Sequence, residues 1–279
     1  GLVFGGTGQT ASSAAIVQTG TGILTLGGDV STNATGNPTT APVITGNLDL
    51  GASTRTFTIA DSTGSLVDLD VSALVSGTGG LTKAGAGALL LSNANTYSGK
   101  TTIASGPLAV SAVDATATAS QPLGTHTDLD LGVAGVSSGT FACTGAAASF
   151  GKNSNALGNG SATSQHRGSG LLSLSGTITK AGTTLTLLGG ASGINVTGTI
   201  VGAPASSDLV VGGGIVTLSN ANTYNGPTRL NAGTLVLGHA SALGSTGDLI
   251  ASGGILEAGI DLAGGIANDM FVSDSFAVG

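Results

Sequence analysis

Short runs of alternating apolar and polar residues recur along the chain, and glycine ends many of them. Residues 22–28 read Gly-Ile-Leu-Thr-Leu-Gly-Gly and residues 170–176 read Gly-Leu-Leu-Ser-Leu-Ser-Gly, and the alternation returns at 55–59, 183–187 and 234–237. A period of two is the pattern of a half-buried β-strand. We find no stretch of ten or more residues with apolar positions at helical spacing, and each glycine would cost a helix about 1 kcal/mol. The pattern predicts an all-β fold with no significant helix.

One longer sequence unit occurs twice. Residues 91–99 read Leu-Ser-Asn-Ala-Asn-Thr-Tyr-Ser-Gly, and residues 218–226, 127 positions further on, differ from them at one position. Residues 122–124 then correspond to residues 242–244 at an offset of 120 positions, so the first copy carries about seven extra residues. These residues fall in the polar stretch 111–121, which we expect to be a loop. A repeat that tolerates a local insertion is typical of a solenoid turn.

Composition favours a stacked solenoid over a β-sandwich. The 279 residues include 50 glycines and no Trp, aromatic residues make up 3%, and only 8% are charged, although 40% are hydrophobic and the mean hydropathy is +0.41. Small and β-branched side chains suit a narrow interior, and few charges avoid repulsion between like charges on successive turns. We expect a parallel β-solenoid with about 20 residues per turn, roughly 14 turns and a length of about 65 Å.

The repeats indicate one continuous solenoid segment over residues 1–279. We expect it to consist of two related halves of about 125 residues, approximately 1–125 and 126–250, followed by a C-terminal partial repeat. Because the chain does not begin with Met, we expect a processed product or a fragment of a longer protein. A single cysteine, Cys143, excludes an internal disulfide framework, so rigidity has to come from backbone pairing.

The residue types at three positions of the repeated unit can be explained physically. They are the paired residues Asn95 and Asn222, Tyr97 and Tyr224, and Gly99 and Gly226. Asparagine suits tight turns and forms side-chain ladders. The two tyrosines are the only ones in the chain, which indicates packing on a turn corner, with ligand stacking as the alternative. The glycines are expected to take a backbone conformation closed to other residues.

The segments 91–108 and 218–235 resemble the autotransporter-associated β-strand repeat of bacterial autotransporter passenger domains and related large surface proteins. The shared pattern is an apolar strand, Asn-Thr-Tyr, a glycine two residues on, a threonine, and then a Gly-x-Leu strand. The resemblance implies a right-handed parallel β-helix, export across the outer membrane, and a display or adhesion role. Pro107 and Pro227 interrupt the pattern at different places, which indicates edge or turn positions.

Two pairs of aspartates lie at i, i+2 spacing. Asp68 with Asp70 and Asp128 with Asp130 would each share one face of a strand, as a weak calcium site or a lyase site requires. The alternative for both pairs is solvated carboxylates at strand ends. We predict no catalytic residue and no cofactor.

Three functions remain open. The first is an extracellular structural protein at a bacterial outer-membrane surface, a β-helical stalk or adhesin-type passenger segment without catalysis. The second is a self-assembling fibre whose copies stack end to end through uncapped β-helix ends. The third is a carbohydrate-active β-helix enzyme. Further expected partners are a surface glycan or a host cell surface. The net charge of −7 argues against nucleic acid, and no apolar run approaches the roughly 18 residues of a membrane span.

Overall fold

The chain is built from short β-strands. The computed structural model describes residues 1–5, 15–33, 40–62, 66–202, 207–244, 246–262, 264–274 and 277–279, and no α-helix occurs in those ranges. No helix there could span a membrane. The strands of these ranges are β1 (Leu2–Phe4), β2 (Ile16–Thr25), β3 (Val30–Thr32), β4 (Val43–Asp49), β5 (Arg55–Thr58), β6 (Leu69–Val71), β7 (Leu74–Ser76), β8 (Leu81–Ala84), β9 (Leu89–Leu91), β10 (Thr101–Ile103), β11 (Pro107–Val110), β12 (Asp128–Leu131), β13 (Thr140–Cys143), β14 (Ala148–Phe150), β15 (Asn153–Ala156), β16 (Ser161–His166), β17 (Leu172–Leu174), β18 (Ile178–Lys180), β19 (Thr184–Leu188), β20 (Ile194–Val196), β21 (Ile200–Val201), β22 (Leu209–Gly213), β23 (Ile215–Leu218), β24 (Thr228–Leu230), β25 (Thr234–Leu237), β26 (Leu249–Ala251), β27 (Ile255–Ala258), β28 (Met270–Val272) and β29 (Ala277–Val278).

The strands form three parallel sheets that run along the molecule. A nine-stranded sheet follows the order β1-β3-β5-β8-β10-β12-β15-β18-β21, and a seven-stranded sheet the order β14-β17-β20-β23-β25-β27-β29. The 13-stranded sheet follows β2-β4-β6-β9-β11-β13-β16-β19-β22-β24-β26-β28, with β7 paired to β4 beside that path. From β12 to β23 the chain visits the nine-, 13- and seven-stranded sheets in strict rotation. The predicted all-β parallel solenoid is therefore confirmed, while its right-handed winding stays a prediction.

The turns are longer and fewer than the sequence suggested. Strands of successive turns pair at separations that range from 19 residues, for Leu89 with Leu108, to 33 residues, for Pro107 with Thr140. The solenoid has about 11 turns, so the expectation of roughly 14 turns is wrong. The physical reason is that loops between the strands lengthen individual turns without changing the strand pairing. At the usual strand spacing, 11 turns correspond to a rod about 50 Å long.

The predicted insertion lies where the two copies of the repeated unit differ. Thr101 in the first copy pairs with Leu129, 28 residues on. The corresponding Thr228 in the second copy pairs with Leu249, only 21 residues on. The same turn is therefore seven residues longer in the first copy, and no strand forms within residues 111–127. The expected loop is confirmed.

The interior is a narrow column of branched aliphatic side chains. Along β19, Leu185 and Leu187 are buried while Thr184 and Thr186 point outward. Buried and outward-facing positions alternate in the same way in strands of the other sheets. A fully buried leucine contributes about 1.5–3 kcal/mol relative to an exposed one, so each turn adds its own small core. The few rings pack within this column as well. The rings of Phe141 and Phe150 stack with centroids 4.9 Å apart.

The two copies of the repeated unit lie on different sides of the solenoid. In the first copy, β9 belongs to the 13-stranded sheet, but its counterpart β23 belongs to the seven-stranded sheet. In the same way, β10 lies in the nine-stranded sheet and its counterpart β24 in the 13-stranded sheet. Relative to the first copy, the second copy is therefore rotated about the long axis of the solenoid by one of its three sides. The division of the chain into two related halves stays a prediction.

Candidate functional site

A buried asparagine holds three turns together in the first copy of the repeated unit. The side-chain oxygen of Asn95 accepts a hydrogen bond of 2.8 Å from the backbone N–H of Val75, one turn before. Its Nδ2 donates to the backbone oxygen of Pro122, one turn after, also at 2.8 Å. Asn95 is fully buried, so both backbone groups would otherwise lack a partner away from water. One side chain thus replaces the main-chain pairing that a strand would supply.

The second copy repeats this geometry with different partners. Asn222 Oδ1 accepts from the backbone N–H of Ile200 at 2.8 Å, and its Nδ2 donates to the backbone oxygen of Ala242 at 2.6 Å. Ile200 lies in the nine-stranded sheet, whereas Val75, the equivalent partner in the first copy, pairs with β4 of the 13-stranded sheet. The corner keeps its hydrogen bonds although it occupies another side of the rod. The same pair of hydrogen bonds to the preceding and following turns therefore forms on either side of the rod.

The two tyrosines are closed off from solvent. Tyr97 and Tyr224 have no exposed surface, and their hydroxyls bond the hydroxyls of Thr101 and Thr228 at 2.7 and 2.5 Å. Burial raises the pKa of both phenols well above its ordinary value. The rings present no face on which a ligand could stack. Both rings are enclosed within the corner, so packing accounts for them without a ligand.

The two glycines of the unit are needed for different reasons. Gly226 has a φ of 99°, as expected, and this value lies in a backbone region that residues other than glycine disfavour. Gly99 has no such φ, and its constraint is a close approach instead: a Cβ there would lie 2.3 Å from the backbone nitrogen of Gly80. The expected conformational role therefore holds for the second copy, and steric contact between turns explains the first.

Three of the four lysines lie inside the solenoid, which the sequence reasoning missed. The fully buried Lys83 donates from Nζ to the backbone oxygens of Ala84, Gly85 and Ser105, at 2.9, 2.8 and 3.1 Å. Burial lowers the pKa of Lys83 to about 8, and Asp68 partly opposes the shift. The ammonium group thus satisfies carbonyls of two successive corners. No acid is paired with it directly in the described residues.

Lys180 and Lys152 are placed in the same manner. Lys180 Nζ donates to the backbone oxygen of Ser207 at 2.5 Å and lies 4.4 Å from the ring centre of Tyr224. Lys152 Nζ donates to the backbone oxygens of Ala117, at 2.5 Å, and His126. Burial lowers the pKa of each lysine to about 8. A signal was present for two of the three, because Thr-Lys-Ala-Gly occurs at both 82–85 and 179–182.

The aspartate pair at residues 68 and 70 divides into two different environments. Both oxygens of Asp68 are occupied: Oδ1 accepts from the backbone N–H and the hydroxyl of Ser62, at 2.9 and 2.6 Å, and Oδ2 from the backbone N–H of Ala88 at 2.7 Å. Asp70 is different, since its Oδ1 is buried without a partner and burial raises the pKa of its carboxyl group. Asp68 therefore acts as a structural acceptor.

The second aspartate pair lies on the outer face of β12, where both side chains do share one face. Asp128 accepts from Asn153 Nδ2, and Asp130 from Asn155 Nδ2, each at 2.9 Å. Asp130 also forms an ion pair with Lys100. The two aspartate pairs belong to different sheets and do not converge. In the described residues, no three or more His, Cys, Asp or Glu side chains form a metal-ligating group. Calcium binding stays a prediction.

A small cleft lies beside the first copy of the repeated unit. It has a volume of about 260 Å³ and opens between residues 92–94 and the inserted residues 112–122. We call it the insert cleft. Its lining includes Ser92, Ala94, Val113, Asp114, Ser120 and Gln121.

The fold and its repeated corner together define a class of protein, the parallel β-solenoid built from a sequence repeat. The passenger-associated-transport-repeat model matches residues 81–110 and 211–237, which contain both copies of the corner. The chain is 32% identical over 241 residues to the adhesin BmaC autotransporter of Brucella suis biovar 1 (strain 1330). That alignment covers 81% of this chain and 6% of the adhesin, so the chain spans a small part of its relative. No solved structure matches it.

The chain is an autotransporter passenger repeat protein. The repeat and the adhesin relative indicate a bacterial surface or secreted protein. The resemblance that the Asn-Thr-Tyr unit suggested is thereby confirmed. The matched ranges also begin and end close to the strands that flank each corner, β8 to β11 and β22 to β25.

Proposed function

We propose that this chain is a segment of an adhesin-type passenger at a bacterial outer-membrane surface, where it serves as a rigid β-helical stalk with adhesive sides and carries out no catalysis. The observation that supports this most directly is the uninterrupted parallel pairing over about 11 turns. Backbone pairing that extends from turn to turn resists bending and needs no disulfide. A long surface with few charges is then available along three sides.

The state of the candidate acids favours a structural role over catalysis. A carbohydrate-active site needs carboxylates that are free to exchange protons or to attack. Asp68, Asp128 and Asp130 instead each accept a hydrogen bond from a neighbouring turn, and the donor to Asp68 is the backbone N–H of Ala88. Their geometry is that of cross-turn links. The relative from Brucella suis supports the same proposal, since it is named an adhesin and an autotransporter.

The proposal is tested by the binding of the purified chain to cells. Fluorescent beads coated with the chain should bind cultured epithelial cells saturably, and soluble chain should compete. Beads coated with serum albumin provide the control. Binding no greater than that of the control beads would contradict an adhesive role. Antibody labelling of intact bacteria that produce the full-length protein tests the location, and label that requires permeabilised cells would contradict surface display.

The two alternatives make different predictions. A fibre subunit should give filaments that lengthen with protein concentration in electron micrographs, whereas a stalk segment gives single short rods. A carbohydrate-active enzyme should depolymerise a glycan in an activity screen, and the doubly substituted D68N/D70N chain should lose that activity. Activity that depends on these carboxylates would overturn the proposal of a non-catalytic segment.

A further inference from the structure

The dipeptide Asn-Gly occurs twice in the chain, at residues 159–160 and at residues 225–226. In this dipeptide the backbone nitrogen of the glycine can close a five-membered ring on the side-chain carboxamide, because glycine has no Cβ to hinder the approach. Ring closure also requires a free glycine N–H and room for the backbone to rotate. The two dipeptides lie in different surroundings, so the chain contains its own comparison.

The first dipeptide is open to solvent. Asn159 and Gly160 are both exposed in the loop between β15 and β16. The N–H of Gly160 donates no hydrogen bond to any residue that the structure describes. Apart from its chain neighbours, no described atom lies within 4 Å of the position that a Cβ on Gly160 would take. The backbone here is therefore free to rotate into the geometry of ring closure.

The second dipeptide is enclosed by its neighbours. The backbone N–H of Asn225 donates to the oxygen of Gly202 at 2.9 Å, and its Oδ1 accepts from Thr246 Oγ1 at 3.2 Å. Gly226 is buried, and a Cβ on Gly247 of the next turn would lie 1.8 Å from its backbone oxygen. Rotation at this dipeptide would break contacts between turns. A reaction that requires local opening is slowed by the free energy of that opening.

A short hairpin lies on the turn before the first dipeptide. Residues 132–138, which we call the Val133 hairpin, are closed by an isolated antiparallel bridge between Val133 and Ser137. Val133 is 38% exposed and Val136 is 68% exposed, so the hairpin presents apolar surface. Its base is tied to the preceding turn, since Ser137 Oγ donates to the backbone oxygen of Ala104 at 2.5 Å.

Asn159 holds the tip of this hairpin from the following turn. Its Nδ2 donates to the backbone oxygen of Gly135 at 2.8 Å, and its backbone oxygen accepts from Ser138 Oγ at 3.0 Å. A carboxylate at position 159 has no hydrogen to donate and would place a negative oxygen against the carbonyl of Gly135. Loss of the carboxamide would therefore remove the bond to the tip and leave the bond from Ser138 in place.

We propose that Asn159 is a site of spontaneous deamidation and that this reaction releases the tip of the Val133 hairpin. The backbone nitrogen of Gly160 loses its proton and bonds to Asn159 Cγ, the bond from Cγ to Nδ2 breaks, and the side-chain nitrogen leaves with a proton as ammonia. One water molecule then opens the succinimide ring at either carbonyl and gives aspartate or isoaspartate. The chain gains one negative charge. The inference does not depend on the proposed adhesive function.

Incubation of the purified chain at 37 °C, at pH 7 and at pH 9, tests the reaction when it is followed by peptide mapping with mass spectrometry. The peptide that contains Asn159 should gain the mass difference between water and ammonia, and faster at pH 9 because the attacking nitrogen must lose its proton. Conversion at Asn225 should be at least about tenfold slower. N159Q should stay unchanged, since a longer side chain closes a less favourable ring. Retention of Asn159 at both pH values, or equal conversion at the two sites, would overturn the inference.

Hydrogen exchange of the peptide with residues 132–138 tests the release of the tip. N159D, which contains one of the two products, should exchange roughly two- to tenfold faster there than the parent, because one hydrogen bond is lost. The aged parent should show the same increase. The matched control N231D places the same charge at an exposed asparagine of another turn and should leave exchange in the hairpin unchanged.

Two results of the exchange measurement would contradict the role of Asn159. Equal exchange in N159D and the parent would show that the side-chain bond does not restrain the tip. Faster exchange along the whole rod in N159D would show general loss of structure instead of a local release, since Ser137 still ties the base of the hairpin.

Discussion

At the residue scale, the repeated corner depends on one asparagine that joins three turns. Asn95 and Asn222 each satisfy a backbone N–H on the turn before and a backbone oxygen on the turn after. Aspartate could accept but not donate, and leucine could do neither. Only a carboxamide of this length offers both groups, which explains why both copies of the unit have asparagine at this buried position.

Replacement of this asparagine should destabilise the fold strongly. N95A or N222A would leave two buried backbone groups unpaired, at a cost of about 2–4 kcal/mol in the free energy of unfolding. Urea denaturation followed by circular dichroism measures the change. N231A is the matched control, because Asn231 is exposed, and it should change stability by less than about 0.5 kcal/mol. Equal effects of the buried and exposed substitutions would contradict the role assigned to the corner.

The three buried lysines should make stability rise between pH 8 and pH 10. In the folded chain the pKa of Lys83, Lys152 and Lys180 is about 8, against an ordinary value of 10.5. The unfolded chain therefore holds more protons in this interval, and stability increases with pH wherever that is so. Each lysine should contribute about 1 kcal/mol per pH unit. Urea midpoints measured across this interval test the slope.

Two substitutions separate this effect from other titrations. K83M should flatten the slope by about one third, whereas T186A, which removes no titratable group from the outer face of β19, should leave it unchanged. The buried phenols act in the opposite direction above about pH 10, since their raised pKa keeps them protonated only in the folded chain. The raised pKa of Cys143 acts in the same direction from about pH 8.5 upward, and so subtracts from the slope of the lysines inside the interval. Stability that falls steadily from pH 8 upward would contradict the lowered pKa of the three buried lysines.

Sequence reasoning reached the corner residues but not the lysines. Repetition alone singled out the asparagines, tyrosines and glycines, because an eight-of-nine match over 127 positions carries information by itself. Burial of Lys83 depends in part on the backbone oxygen of Ser105 in the following turn, 22 residues away. A local pattern of charge cannot reveal such a partner. The same limitation applies to the partners of Asp68.

At the scale of the element, inward and outward positions of a strand should differ sharply in their effect on stability. L187A in β19 removes a fully buried side chain and should cost about 2–5 kcal/mol. T186A, on the outer face of the same strand, should cost less than about 1 kcal/mol. Thermal denaturation of the two variants provides the comparison. Similar losses would mean that the register of β19 against its neighbours is incorrect.

Alternation predicted the strands well where it was regular. The runs at 55–59, 183–187 and 234–237 correspond to β5, β19 and β25. It could not predict turn length, because the residues between strands are polar and without period. Nor could it predict that residues 95–99 and 222–226 take the place of a strand. That substitution depends on contacts with the preceding and following turns.

At the scale of the whole molecule, each turn contacts only its neighbours, so a part of the rod should fold without the rest. A fragment of residues 128–262, which includes β12 to β27, should keep a β-sheet circular dichroism spectrum. Its thermal midpoint should lie below that of the full chain because fewer interfaces between turns contribute. A random-coil spectrum for the fragment would show that folding requires the N-terminal turns.

The displacement of the two corners by one side of the solenoid has a consequence for how the rod meets another surface. A step of one side is about a third of a revolution about the long axis, so the two corners and the loops beside them face different directions. A flat partner such as a cell surface can engage only one of them at a time, and the pair provides no avidity towards it. If each further copy were rotated by the same third of a revolution, only the fourth copy would face the same direction as the first. Such a series of repeats would distribute contacts around the rod and would allow it to attach whichever way it is turned.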